Sequence, residues 1–316
     1  AAASVMGQGI SGRGLNDAEL RGVARVFGGS SVLSFNGGNA GAILPKELYT
    51  GFSDLLEPLS ADSAVDLPVF LPLPRTGSSV LWDVLGGCVG MDARTSDGGQ
   101  YVGDVKASAL SGRQVLFAPS LPSASSALSQ SPSLGRAFLL LRHPVKRLVS
   151  SFHDARARSS DPSDPIHSMT TVEYAGSDMF VDNEVVRMLS GAVEGENVHM
   201  GHVEIAVEAL RTKVLVGISE FLDESLVRFE QYFGWWDAVL ERTSNLATSG
   251  VGAAGQGSSV LQCQRDRIAA GDRRGEVAQP KPGNEEFREL VRLNWADVQL
   301  YHAAKKAFGE QAALVD

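Results

Sequence analysis

The sequence predicts an α/β protein: a P-loop-like three-layer sandwich whose central, mostly parallel sheet carries helices on both faces. Three observations lead there. The short runs Val69–Leu73, Val115–Phe117, Ala137–Leu141 and Lys213–Ile218 are apolar without alternation, as strands covered on both faces require. Stretches with helical spacing separate them, so strands and helices alternate along the chain. Two of the strands run directly into a helix through a turn that carries an arginine, Arg75 and Arg142.

The elements follow in order. Residues 1–66 read as a Gly-rich N-terminal extension packed on the core, with loops at Gly7–Gly14 and Gly28–Gly41 and short helices at Asn16–Phe27 and Pro45–Leu56. Residues 67–316 form the main domain. In Val69–Leu85, Pro72 and Pro74 end the first strand and bias their neighbours to extended geometry. Thr76, Gly77, Ser78 and Ser79 then open a helix, Ser78–Leu85. A helix start with Gly and hydroxyls suits an anion, because unpaired N–H groups and the helix dipole point at one spot. A plain strand–turn–helix with a Ser cap explains that segment equally well on its own.

In Ala137–Asp154 a strand ends at Arg142, Pro144 starts a helix expected over Val145–Arg156, and Ser150 lies two turns in. Arg142 and Ser150 can face one phosphate from there. A surface ion pair and an exposed serine are the alternative. Ser123–Ser133 is expected as a connecting helix or loop, and Ser159–Pro165 as a loop. Helices are expected at Thr171–Phe180, Asn183–Leu189, Val203–Arg211 and Leu222–Phe233, and as one long closing helix at Asn284–Phe308. A mobile, low-complexity loop is expected over about 243–262.

Taken as a pair, Pro74-Arg75-Thr76-Gly77-Ser78-Ser79 and Arg142-His143-Pro144-Val145-Lys146-Arg147-Leu148-Val149-Ser150 resemble the two nucleotide motifs of sulfotransferases that use 3′-phosphoadenosine 5′-phosphosulfate (PAPS). Asp182–Gly191, Lys213–Phe229 and Asn294–Phe308 look like segments of the carbohydrate branch, the uronyl 2-O-sulfotransferase-like members. The resemblance covers about Leu67 to Phe308. It implies that Arg75 and the N–H groups of Gly77, Ser78 and Ser79 hold the 5′-phosphosulfate beside Thr76. Arg142 and Ser150 would hold the 3′-phosphate. It also implies PAPS as co-substrate, no metal, a glycan or other hydroxyl acceptor, and the Golgi lumen as the home of a trimmed type II membrane protein. An organellar or cytosolic home is the alternative. Protein partners or a homo-oligomer are compatible with it.

The chain departs from that family where its 2-O-type members carry a catalytic histidine. The corresponding loop is Val115–Pro122, with Ser120 in the histidine's place, and no histidine occurs between Thr76 and Leu141. Serine is no general base near neutral pH. Substitute bases would come from Asp83, Asp104, His153, His167 or Glu173. A second reading is therefore a sulfotransferase-fold protein without catalysis that binds a nucleotide or serves as a subunit of an assembly. A P-loop kinase is disfavoured, since no Gly-Lys-Ser/Thr follows the first strand.

Composition narrows the partners. The net charge is −9, which argues against nucleic acid and anionic membranes, although Arg75, Arg142, Lys146 and Arg147 could make a local basic pocket. Arg265, Arg267, Arg273 and Arg274 read as a basic loop. No apolar run reaches membrane-span length. The two cysteines allow one bridge, with Cys88 expected to be buried. His199 and His202 read as surface histidines, because no third metal ligand is evident in the sequence. Trp235 and Trp236 read as core or interface, and Asn183 and Arg187 as residues that pack two helices.

Overall fold

The computed structural model describes residues 44–60, 66–94, 114–129, 133–235, 256–272 and 277–315. The expected helix Asn16–Phe27, the loops before residue 44, Asp104, Trp236, Arg273 and Arg274 lie outside the described residues.

The core is a parallel sheet of β1 (Asp66–Phe70), β2 (Asp92–Arg94), β3 (Gln114–Phe117), β4 (Leu134–Leu141) and β5 (Val214–Ile218), in the order β2-β3-β1-β4-β5. Every pairing is parallel. β2 is a three-residue edge piece beside four longer strands. The first strand lies earlier than the apolar run suggested. Leu71 and Leu73 are buried but already beyond the ladder, while Asp66 and Pro68 pair with β4.

The helices are α1 (Lys46–Tyr49), α2 (Ser78–Val84), α3 (Leu121–Leu128), α4 (Pro144–Arg158), α5 (Thr171–Ala175), α6 (Glu184–Ser190), α7 (Met200–Thr212), α8 (Leu222–Phe233), α9 (Gln256–Asp272), α10 (Glu285–Leu293) and α11 (Trp295–Glu310). One face of the sheet packs Phe70, Phe117, Phe138 and Leu215 against Leu81 and Val84 of α2 and Phe229 of α8. The other packs Val69, Leu139 and Val216 against α3, α6, α7 and α11. A third cluster, with Leu148 and Phe152 of α4, Tyr174 of α5 and Leu290 of α10, lies beyond the strand ends. The predicted three-layer α/β sandwich is the observed one.

Several boundaries differ for local reasons. Pro45–Leu56 is helical only over α1; past it, Phe52 makes an isolated parallel bridge with Gly135. Buried Arg136 ties this segment down, donating to Asp66 at 2.6 Å and to the carbonyl of Glu57 at 3.0 Å. Thr171–Phe180 stops after one turn at Gly176. The helix after β1 widens into a π-turn, Leu85–Val89, where the Gly90 amide donates to the Leu85 carbonyl five residues back. The expected mobile loop is helical from Gln256 onward, which places Arg265 and Arg267 on α9 rather than in a loop. Its remainder, 243–255, lies outside the described residues.

The closing helix is two helices broken at Asn294 (φ −118°, ψ 37°). The break serves a buried polar knot. Asn183 Oδ1 accepts from the amides of Ala296 (2.9 Å) and Asp297 (3.3 Å), and Asn294 Oδ1 accepts from the Asn183 amide. Asp297 accepts from the amides of Val185 and Val186, which start α6. Buried Arg147 donates to Asp297 at 3.3 Å and pairs with Glu184. Burial pushes the Asp297 carboxyl up to about 6, against the pull of Arg147 and the two amides.

Cys88, half-buried rather than buried, forms a disulfide with Cys263 of α9 across a sequence separation of 175. That bond holds α9 against the π-turn, where the Arg267 guanidinium lies beside Gly87.

Two outcomes are expected in chemical denaturation. Asp297→Ala leaves the Val185 and Val186 amides without their acceptor and buried Arg147 with Glu184 alone, and costs about 2–4 kcal/mol. Cys263→Ser frees a long loop in the unfolded chain and costs about 2–4 kcal/mol.

Candidate functional site

Register brings the two motifs together. Phe70 pairs with Phe138, an offset of 68 (138 − 70), so Arg142 leaves β4 level with Pro74 in the turn after β1. Arg142 Nη1 donates to the Arg75 carbonyl at 3.1 Å. Leu141 pairs with Ile218, so Ser219 leaves β5 at the same edge, and its hydroxyl donates to the Thr76 carbonyl. The turn is thereby held from the exits of β4, beside β1, and of β5, the next strand along. In open α/β sheets this carboxyl edge is where ligands bind.

The turn itself is strained. Arg75 has φ 66° and Gly77 has φ 95°, both left-handed. A non-glycine residue there persists only when its surroundings impose the geometry. The hydroxyls of Thr76 and Ser78 both donate to the Leu73 carbonyl at 2.9 Å, so they close the turn and do not face a ligand. What Thr76, Gly77, Ser78 and Ser79 present to the cleft is the backbone at the start of α2, whose first helical acceptor is Gly77 O.

On the other side, Pro144 takes the first position of α4, and His143 Nδ1 caps it by accepting from the Val145 amide at 3.3 Å. Ser150 is half-buried on this helix. One turn further, Asp154 reaches across to the Arg75 guanidinium and also pairs with Arg158 at 2.7 Å. Glu220, just after Ser219, accepts from the His143 amide at 3.4 Å and the Tyr301 hydroxyl at 3.0 Å, and pairs with Lys146 at 3.5 Å. Arg75 and Arg142 thus meet where the turn after β1 faces the start of α4, and Ser150 lies on α4 one turn before Asp154. Arg147 does not join them: it is fully buried in the knot and contributes no charge to the cleft.

The remaining candidates have other tasks. Ser120 is the N-cap of α3, accepting from the Ser123 amide at 3.2 Å. Glu173 forms a reciprocal capping box with Thr170. Asp83 is exposed on α2, and His167 closes a short 3-10 turn. His153 is exposed and lines an open groove of about 1180 Å3 with Arg156, Phe287 and Arg288; none of Arg75, Arg142 and Ser150 lines it. Trp235 is buried against Phe138 and Phe233, a core residue. Arg187 bonds the Asp182 carbonyl and carboxylate and the Val193 carbonyl, bracing α6.

The structure does bring a third metal-type donor, Glu196, beside His199 and His202, all three ligand atoms within 4.8 Å. Its hydrogen bonds are those of a helix cap. His199 Nδ1 accepts from the Gly201 amide and His202 Nδ1 from the His199 amide, so both rings serve the start of α7. A cation at the positive end of α7 would also oppose the helix dipole.

Sequence reasoning missed Asp154, Ser219 and Glu220. Asp154 carried one signal, its place one turn beyond Ser150 on the same helix face. In comparisons with known proteins, no family model matches this chain, and neither the curated proteins nor the solved structures give a match.

Burial depresses the His143 imidazole to about 3, aided by the charge of Lys146, so the folded protein keeps it neutral. The unfolded chain protonates it near 6.5 and binds more protons between those values, so this site's contribution to stability falls as pH falls from about 6.5 toward 3. The expected result is a falling unfolding midpoint across that range and a shallower fall in His143→Leu. Gly77→Ala, which forces a side chain into left-handed geometry, is expected to cost about 1 kcal/mol or more in the same measurement.

Proposed function

We propose that the chain binds PAPS across the cleft between α2 and α4 and transfers its sulfuryl group to a hydroxyl acceptor, a glycan by the resemblance of its downstream segments. The observation that carries this reading is the Arg142–Arg75 contact, which sets two arginines from distant parts of the chain side by side at one sheet edge. Two arginines at one strand-exit edge suit a nucleotide that carries phosphates at its 3′ and 5′ positions.

In this reading Arg75 and the backbone at the start of α2 receive the 5′-phosphosulfate, while Arg142 and Ser150 receive the 3′-phosphate. The acceptor oxygen forms a bond to sulfur as the bond from sulfur to the 5′-phosphate oxygen breaks. The nucleotide 3′-phosphoadenosine 5′-phosphate (PAP) leaves with the electron pair, and the hydroxyl proton passes to a base. Arg75 neutralises charge growing on the leaving phosphate. Its fork suits bidentate contact with that group, although it is a poorer proton donor than lysine. The Cys88–Cys263 disulfide suits an oxidising compartment such as the Golgi lumen. No described helix is long and apolar enough to cross a membrane.

Ser120 favours a second reading, nucleotide binding without catalysis. Its hydroxyl is committed to capping α3 where the resembled enzymes place a histidine.

Calorimetric titration separates these readings from a purely structural role. PAP is expected to bind more tightly than AMP or ATP, and Arg142→Ala is expected to weaken PAP binding about tenfold or more. Absence of PAP binding at millimolar ligand contradicts both nucleotide readings. Ser120→Ala is expected to cost about 1 kcal/mol of stability as a lost cap, with nucleotide binding unchanged.

A further inference from the structure

Asp154 holds the arginine that the proposed donor site needs. Its carboxylate comes from α4, the same helix that carries Ser150, and meets the Arg75 guanidinium across the cleft. Both side chains are partly open to solvent, at 30% for Arg75 and 22% for Asp154. Arg158 pairs with the same carboxylate but is 74% exposed and contributes little. An anionic oxygen arriving at Arg75 therefore meets a carboxylate already on that fork.

We propose that Asp154 is an intramolecular competitor that lowers the affinity of Arg75 for every incoming anion. The inference rests on the donor-site reading above. Its physical basis is competition within one molecule. Asp154 is tethered beside Arg75, so its effective concentration there is high. A lone phosphate or sulfate, or a nucleotide phosphorylated only at the 5′ position, must displace it with a single contact. A nucleotide that is also anchored at Arg142 and Ser150 brings its 5′ group to Arg75 with a second contact in place. The carboxylate thereby lowers affinity for every ligand of Arg75 and leaves only doubly anchored ones above a useful threshold. The lowering is local: a ligand that uses only Arg142 and Ser150 is not subject to it.

The test titrates the wild type and Asp154→Asn, which keeps the side chain's shape, with PAP, 5′-AMP, 3′-AMP and inorganic sulfate. The expected result is about three- to tenfold tighter binding of PAP, 5′-AMP and sulfate to the variant, with 3′-AMP unchanged. PAP binding that is unchanged or weaker in the variant overturns the proposal, because Asp154 would then orient Arg75 and not compete for it. A gain shared equally by 3′-AMP also overturns it, since that is the signature of a changed overall field. Should the nucleotides bind neither protein while sulfate binding still tightens in the variant, the donor reading fails and the competition stands. No gain for sulfate in that case defeats both. Asp154→Ser provides the same comparison if the Asn variant does not fold.

Discussion

The parallel pairing of β1 with β4 is the constraint on which the rest of the site depends. Its register puts Arg142 level with the turn after β1, and the pairing of β4 with β5 puts Ser219 there too. Two strand exits then hold the turn after β1, and the turn keeps an arginine in left-handed geometry. A slip of one residue along β4 would move its inward residues to the other face and carry Arg142 away from Arg75. The ring contacts of Phe138 with Phe70, Phe229, Phe233 and Trp235 oppose such a slip, because only one register fits them. Packing of one side chain at the sheet centre thus bears directly on the geometry of a polar cleft at its edge.

The helices that frame the cleft are held by different means on each side. α4 is fixed through Arg147, which reaches into the knot made by Asn183, Glu184, Asn294 and Asp297. Removing one member of such a knot leaves a buried charge without its partner, so the knot specifies one arrangement of α4, α6 and α11 more than it adds stability. α2 is fixed by apolar burial and, through its π-turn, by the covalent link to α9. The cleft lies between a helix held by a polar knot and a helix held by a disulfide. That arrangement suits a site whose two halves must keep a set spacing while charged groups exchange partners inside it.

Much of this was legible in the sequence. Unbroken apolar runs located four strands, and Pro144 marked the start of α4 because proline costs nothing at that position. The two arginine turns were visible as motifs. The strand bounds at β1 were not, since Asp66 and Pro68 pair in the ladder without an apolar pattern. Asn284–Phe308 reads as one amphipathic helix, and its break at Asn294 depends on Asn183, distant in sequence. The start of α9 is hidden by Gly and Ser, and the helix is held in part by the bond from Cys263 to Cys88. Ser120, Glu173 and His199 are side chains of catalytic type that accept from backbone amides at helix starts, a distinction only the fold makes. Asp154 drew no notice for the converse reason: an acid beside arginines on a helix resembles a surface ion pair until its partner across the cleft is known.

In the proposed donor site, the turn after β1 and the start of α4 together receive a doubly phosphorylated nucleotide. Hydrogen exchange of backbone amides with and without saturating PAP tests it most directly. The account predicts slowed exchange in peptides that cover Pro74–Val80 and Arg142–Ser150, with little change in those that cover Thr171–Ala175 and Glu285–Leu293 around the open groove. Protection centred on the groove, or none at either motif, would contradict it.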